Sequence, residues 1–290
     1  MGKLFNTVFL VCALAWHVCS AKADTVSDRI TVTVSGKGPD VVLIPGLACS
    51  SAVWDGLLKR LDGHYRLHAV QVAGFAGSLS RANAEGPVFQ PTADAIDAYI
   101  KTNKLKSPKV IGHSMGGLIG MKLALEHPDD VGGLMIVDSF PFFGVLIGVK
   151  DAAAAEPRAA AMRDRILNET QEAYAEGEKQ FLASMVKSPE GLKIATKWSV
   201  ESDKSVVARA MYEAMTTDLR PRLHEMKTPV TMLYPWDTSM GASQAMIDGM
   251  YQQNFAALPK KTLVRIDGSY HFIMFDQPEK FAEQVSVFLK

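Results

Sequence analysis

Gly112-His113-Ser114-Met115-Gly116-Gly117 places one serine between glycines two residues away on either side. The run follows the apolar pair Val110-Ile111 and precedes a helical pattern, Leu118 to Glu126. A serine hydroxyl attacks a carbonyl only where it projects from the fold and a base takes its proton. A tight strand-to-helix turn gives that projection. It brings the backbone so close at the flanking positions that only glycine fits there. The chemistry these residues could do is acyl transfer from Ser114.

The base must be a histidine placed elsewhere in the chain. His113 lies inside the turn and cannot easily reach its neighbour's hydroxyl, and His127 precedes Pro128 at the end of a helical pattern. His64, His68 and His224 have no supporting context. His271 follows the last apolar strand pattern in Asp267-Gly268-Ser269-Tyr270-His271 and precedes the last helical one, so it is the expected base. A carboxylate must orient the imidazole and stabilise its charged form. Asp237 follows the Val230–Leu233 run and is the favoured acid. Asp138, which ends the Leu134–Val137 run, is the alternative, or else a structural acid. Asp276 reads as a helix cap before Gln277-Pro278-Glu279.

The elements that must position these groups alternate along the chain. Ile30 to Val34 alternates as a half-buried edge strand would. Val41–Ile44, Leu67–Val72, Val110–Ile111, Leu134–Val137, Val230–Leu233 and Leu263–Ile266 are apolar runs of the kind buried on both faces. Helical patterns lie between them, as at Ala93–Lys101, Leu118–Glu126 and Lys280–Leu289. Alternation of this kind means βαβ units and a mostly parallel sheet, with ligands at the carboxyl ends of its strands. Between 140 and 225 the alternation stops, and helix formers dominate Asp151 to Met185. That stretch is expected to be a helical insertion lying over the sheet as a lid. Its acids Glu156, Glu169, Glu172, Glu176 and Glu178 stand at helical spacing and read as a solvated face.

Residues 1–23 read as a cleaved export leader. Lys3 supplies a positive start, Val8 to Trp16 an apolar run too short to span a bilayer, and Ala21-Lys22-Ala23 a cleavage site before Asp24. The expected location is the periplasm or the medium, with no stable membrane anchor. The 31 basic and 31 acidic residues balance, and removing Lys3 and Lys22 leaves a formal charge of −2. That balance speaks against nucleic-acid binding, which needs a basic excess. Cys49 would be the one thiol of the mature chain, so no internal disulfide is available. No HExxH, clustered His/Cys ligands or calcium-type acidic loop occurs, and Gly36-Lys37-Gly38 lacks the rest of a dinucleotide fingerprint. No cofactor or metal is therefore expected. The Asn168-Glu169-Thr170 sequon reads as chance, and oligomeric state is not legible. Phe75, Phe140, Phe142, Phe143 and Trp236 follow strand ends or adjoin the acids, and are expected to form an apolar substrate pocket.

The chain resembles the exported, lid-containing, esterase- and lipase-like serine hydrolases of the α/β-hydrolase fold. The likeness extends from Ile30 to Lys290. It is carried by Gly112 to Gly117, by Leu43-Ile44-Pro45-Gly46-Leu47 with Trp54 after it, and by the His271 loop. It implies a doubly wound sheet, a core formed by 24–139 with 226–290, and a lid at 140–225. It also implies an oxyanion hole from the backbone N–H groups of Leu47 and Met115, each donor contributing about 3 kcal/mol. Two departures stand out. Pro45-Gly46 occupies the place of a frequent His-Gly, and Tyr234-Pro235-Trp236-Asp237 lacks the glycine that usually precedes the acid. The second keeps Asp138 open. The expected activity is two-step cleavage of a small to medium, fairly apolar carboxylic ester. The same apparatus could open lactones, transfer acyl groups or act as an aminopeptidase, and a non-catalytic binder on this fold is the other class. Epoxide and haloalkane cleavage would need a carboxylate where Ser114 stands.

Overall fold

The computed structural model describes residues 23–61 and 63–290. All but the last residue of the expected leader falls outside them. Eight strands form one sheet: β1 (Ala23–Ser27), β2 (Ile30–Gly36), β3 (Asp40–Ile44), β4 (Arg66–Val72), β5 (Lys109–His113), β6 (Gly133–Val137), β7 (Val230–Trp236) and β8 (Lys261–Asp267). Their spatial order is β1-β2-β4-β3-β5-β6-β7-β8. Among the described residues only the β1–β2 and β2–β4 ladders are antiparallel; every ladder from β4 to β8 is parallel. Ile30–Val34, expected at an edge, lies one strand in, because β1 covers it.

The continuous apolar runs are explained by burial on both faces. Side chains alternate across a strand. Val42, Ile44, Val110, Leu134 and Ile136 therefore enter one core, shared with α2 (Phe89–Thr102) and α3 (Met115–Glu126). Val41, Leu43, Ile111, Met135 and Val137 enter the other, closed by α1 (Asp55–Leu61), α9 (Ile273–Asp276) and α10 (Pro278–Leu289). The strand order reverses at β3, whose neighbours are β4 on one side and β5 on the other. A crevice opens beyond the carboxyl ends at such a switch point. Leu47, just past β3, and Ser114, just past β5, flank it.

Between β6 and β7 lie α4 (Ala152–Asn168), α5 (Gln171–Ala183), α6 (Pro189–Glu201) and α7 (Lys204–Thr216). Each begins at a residue whose side chain accepts a first-turn N–H: Asp151, Thr170, Ser188 and Asp203. Such caps satisfy donors that the helix itself cannot. The segment is bonded to the loop after β4. Asp203 N–H donates to the Gly74 carbonyl at 2.7 Å and Ala76 N–H to Ser202 Oγ at 2.8 Å. The Glu213 carboxylate accepts the N–H groups of Val88 and Phe89 at the start of α2, at 2.8 and 2.9 Å. The remaining helix, α8 (Gln244–Asn254), lies between β7 and β8. No helix among the described residues is long and apolar enough to cross a membrane.

Candidate active site

Ser114 stands between the last residue of β5 and the first of α3, with φ 52° and ψ −121°. This left-handed backbone costs about 1–3 kcal/mol in a residue bearing a Cβ, and persists only where neighbours enforce it. They do. Ser114 N–H donates to the Val137 carbonyl at 3.0 Å, and its own carbonyl accepts Gly117 and Leu118 N–H at 2.8 and 3.2 Å. A Cβ on Gly112 would lie 2.2 Å from the Gly116 carbonyl oxygen, and one on Gly116 would lie 2.3 Å from that of Ile44. Both glycines are required by close approach of backbone, as the spacing implied. Met115 begins α3, so its N–H has no carbonyl one turn behind it.

His271 Nδ1 lies 2.6 Å from Asp138 Oδ2. Because a carboxylate can only accept, Nδ1 carries the proton and Nε2 is left as the basic nitrogen. Asp138 is held by two contacts from the core and by its own backbone. Its N–H donates to the Leu233 carbonyl at 2.8 Å, its φ is +44°, and its other carboxylate oxygen accepts the hydroxyl of Tyr251. Tyr251, on α8, is buried and stacked between Phe140 and Tyr234, with centroids 4.7 and 4.3 Å away. Burial, then the charge of Asp138, pushes its phenol well up, so it remains a donor. Nothing in the sequence signalled Tyr251, because its value depends on how α8 packs against β7 and β8.

Asp237, the favoured acid, does not meet His271. Its carboxylate holds Lys187 Nζ at 2.5 Å and the N–H and hydroxyl of Ser239 at 3.0 and 2.5 Å. The Lys187 ammonium foremost, then Ser239, holds it down at about 2. The side chain caps the short helical turn Thr238–Met240 and is turned from the imidazole. Lys187 belongs to the segment joining α5 and α6, so this pair ties the insertion to the core. An acid depressed in the folded state stabilises the fold when ionised and loses that contribution as pH falls. The Tm of Asp237→Asn is therefore expected to lie below that of the parent near about pH 5, the difference vanishing as pH falls through about 2. Thermal melts of both proteins across that range check it. Asp276, read as a cap of the last helix, instead accepts the N–H groups of Lys187, Ser188 and Tyr270.

His113, passed over for its position, has a different use. Fully buried, it donates Nε2–H to the carbonyl of His271 at 3.2 Å, and their rings lie 4.5 Å apart. Burial pushes its pKa well below the ordinary histidine value, so it is neutral. It fixes the loop that presents the base without adding a charge beside it.

Ser114, His271, Asp138, Leu47 and Met115 all line one cavity of about 550 Å³, within the range of small-molecule sites. Of the expected aromatic lining, Phe140 and Phe143 are there. Phe75, Phe142 and Trp236 are not. Phe75 is wholly buried in the core, Phe142 packs on Gly144 beneath the Arg220 guanidinium, and Trp236 donates its indole N–H to the Ala242 carbonyl. Methionines take their place: Met162, Met185, Met211 and Met215 from the insertion, Met240 and Met250 from the core. Thioether chains adapt to ligands of irregular shape. Cys49 also faces the cavity, but burial pushes its thiol up to about 12, which rules it out as nucleophile. Glu178, read as part of a solvated face with Glu156, Glu169, Glu172 and Glu176, turns inward and lines the cavity.

Among the described residues one group, Asp97, His127 and Asp130, has metal-type ligand atoms within 4.8 Å of one another. The Lys101 ammonium already rests on both acids, at 2.8 and 3.6 Å.

A pimeloyl-[acyl-carrier protein] methyl ester esterase of Vibrio vulnificus is 26% identical over 265 residues, covering 87% of this chain and 95% of that protein. Among solved structures, the enol-lactonase of Burkholderia xenovorans LB400 superposes with a TM-score of 0.74 at 20% identity, covering 92% of this chain and 99% of the other. An esterase from Exiguobacterium antarcticum gives 0.74 at 20% identity, over 93% and 99%. The family model described as the alpha/beta hydrolase family matches residues 41–284. The serine turn, the sheet order and this match agree, and the chain belongs to the alpha/beta hydrolase family as one of its serine hydrolases.

Proposed function

We propose that the protein is an exported serine esterase that cleaves small to medium, apolar carboxylic esters through an acyl-enzyme. The observation that carries this reading is the shared cavity. The strained Ser114 and the His271–Asp138 pair open onto one chamber walled largely by hydrocarbon and thioether. The 26% identity to methyl ester esterases supports an ester over other acyl compounds. In this reading 24–139 and 226–290 form the hydrolase core, and the 140–225 insertion is its lid.

Ser114 attacks the ester carbonyl while His271 Nε2 takes its proton. Charge developing on the carbonyl oxygen is met by the N–H groups of Leu47 and Met115, fixed in place before reaction. Asp138 holds the imidazole in the required tautomer and stabilises it once protonated. His271 then protonates the departing alkoxide, and water drawn through the same nitrogen releases the acid. Export rests on the apolar run Val8 to Trp16 and the Ala21-Lys22-Ala23 site.

Fluorophosphonate labelling of the protein recovered outside the cytoplasm, followed by peptide mapping, tests both parts. The expected adduct is on Ser114, and the expected N-terminal residue is Asp24. Absence of an adduct with both a fluorophosphonate and a smaller sulfonyl fluoride would remove the esterase reading. An intact 1–23 segment would remove export.

A further inference from the structure

The cavity is apolar except at two places. One is the catalytic end, at the carboxyl ends of β3, β5 and β6. The other is on the insertion, where Glu178 of α5 and Ser199 of α6 face the same space. Ser199, 3% exposed, donates its hydroxyl to Glu178 Oε2 at 2.6 Å. The other carboxylate oxygen receives no hydrogen bond among the described residues. A carboxylate oxygen that faces an apolar cavity without a protein donor can be completed by a donor on a ligand.

We infer that Glu178 and Ser199 form a polar subsite for the acyl part of the substrate, selecting esters that carry a hydrogen-bond donor, hydroxyl or ammonium, beyond an apolar spacer. The inference rests on the esterase reading above for its choice of probe. The free oxygen of Glu178 accepts that donor, and the methionines and Phe143 cover the spacer. A plain alkyl terminus would leave the carboxyl facing hydrocarbon. A terminal carboxylate would meet a second acid in a confined space and be rejected. Burial raises the pKa of Glu178, with Ser199 and the Arg165 charge opposing the rise and the Glu169 charge adding to it, consistent with a carboxyl held away from bulk water.

The test uses matched methyl esters over a range of chain lengths: the alkanoate, the ω-hydroxyalkanoate, the ω-aminoalkanoate and the half-ester of the α,ω-diacid. Each is read as kcat/KM on the parent enzyme and as the Kd of the uncleaved ester on Ser114→Ala. At the best length the hydroxy or amino ester is expected to exceed the alkanoate by about tenfold and the half-ester by more, the amino arm separating a cation from a neutral donor. In Glu178→Leu the order of donor and alkyl esters is expected to invert. In Glu178→Gln, which keeps an acceptor for Ser199 and for the ligand, the donor preference is expected to persist while discrimination against the half-ester falls. Equal kcat/KM in the parent and equal Kd on Ser114→Ala for alkyl and donor esters, or a preference that survives Glu178→Leu, overturns the inference. No turnover of any ester, with the Kd order retained, would instead overturn the esterase reading and leave the subsite standing.

Discussion

Asp138→Asn is expected to lower kcat by about 10⁴ on an ester that the parent cleaves, while Asp237→Asn stays within about tenfold. The reason is the tautomer. An asparagine amide facing His271 would place its N–H₂ where the carboxylate now accepts, and the imidazole would move its proton to Nε2. That nitrogen must be basic to activate Ser114. The rest of the site would persist, since Tyr251 can still donate to the asparagine carbonyl and the backbone bond to Leu233 is untouched. Asp237 offers no such control, because both its oxygens are engaged by Lys187 and Ser239. Parallel kcat and Tm measurements on the two variants check the assignment. A large kcat loss in Asp237→Asn with little in Asp138→Asn would reverse it.

Ser114→Ala and His271→Ala are each expected to lower kcat by about 10⁶, and the double variant to lose little beyond either single change. Nucleophile and base act as a unit: without the imidazole the hydroxyl is not activated, and without the hydroxyl the imidazole has nothing to deprotonate. Residual turnover over the uncatalysed reaction is expected from the Leu47 and Met115 donors, which neither substitution touches. Single-turnover rates on the two single variants and the double variant check it. Losses that multiplied would mean that Ser114 and His271 serve separate steps.

What was legible in the sequence was what depends on local spacing. The Gly112–Gly117 run specified its turn because two glycine contacts, with the Gly116 carbonyl and the Ile44 carbonyl, leave no alternative there. The seven strands from β2 to β8 were legible because each carries a run or alternation of its own. β1 was not, since Ala23–Ser27 has little apolar content and is defined by pairing with β2. Asp138 and Asp237 both end strands, and spacing cannot separate them. What separates them is the direction in which each side chain leaves its strand: Asp138 turns through a left-handed backbone towards His271, while Asp237 caps the turn at Thr238. The aromatic lining was misjudged for a similar reason. Phe75 packs into the core and Phe142 against Gly144 and the Arg220 guanidinium, and only tertiary packing reveals the methionines that line the cavity in their place.

Every group assigned to bond making and breaking lies outside 140–225, and so do the groups that orient them. Ser114, His271, Asp138 and His113 come from β5, β6 and the β8–α9 loop, and Tyr251 comes from α8. The Glu178 and Ser199 pair and four of the methionines come from within that stretch. On the proposed reading, reactivity and substrate choice are thus written on separately replaceable lengths of the chain. Exchange of the inserted helices for another set could change what the protein accepts without requiring the reaction itself to be rebuilt.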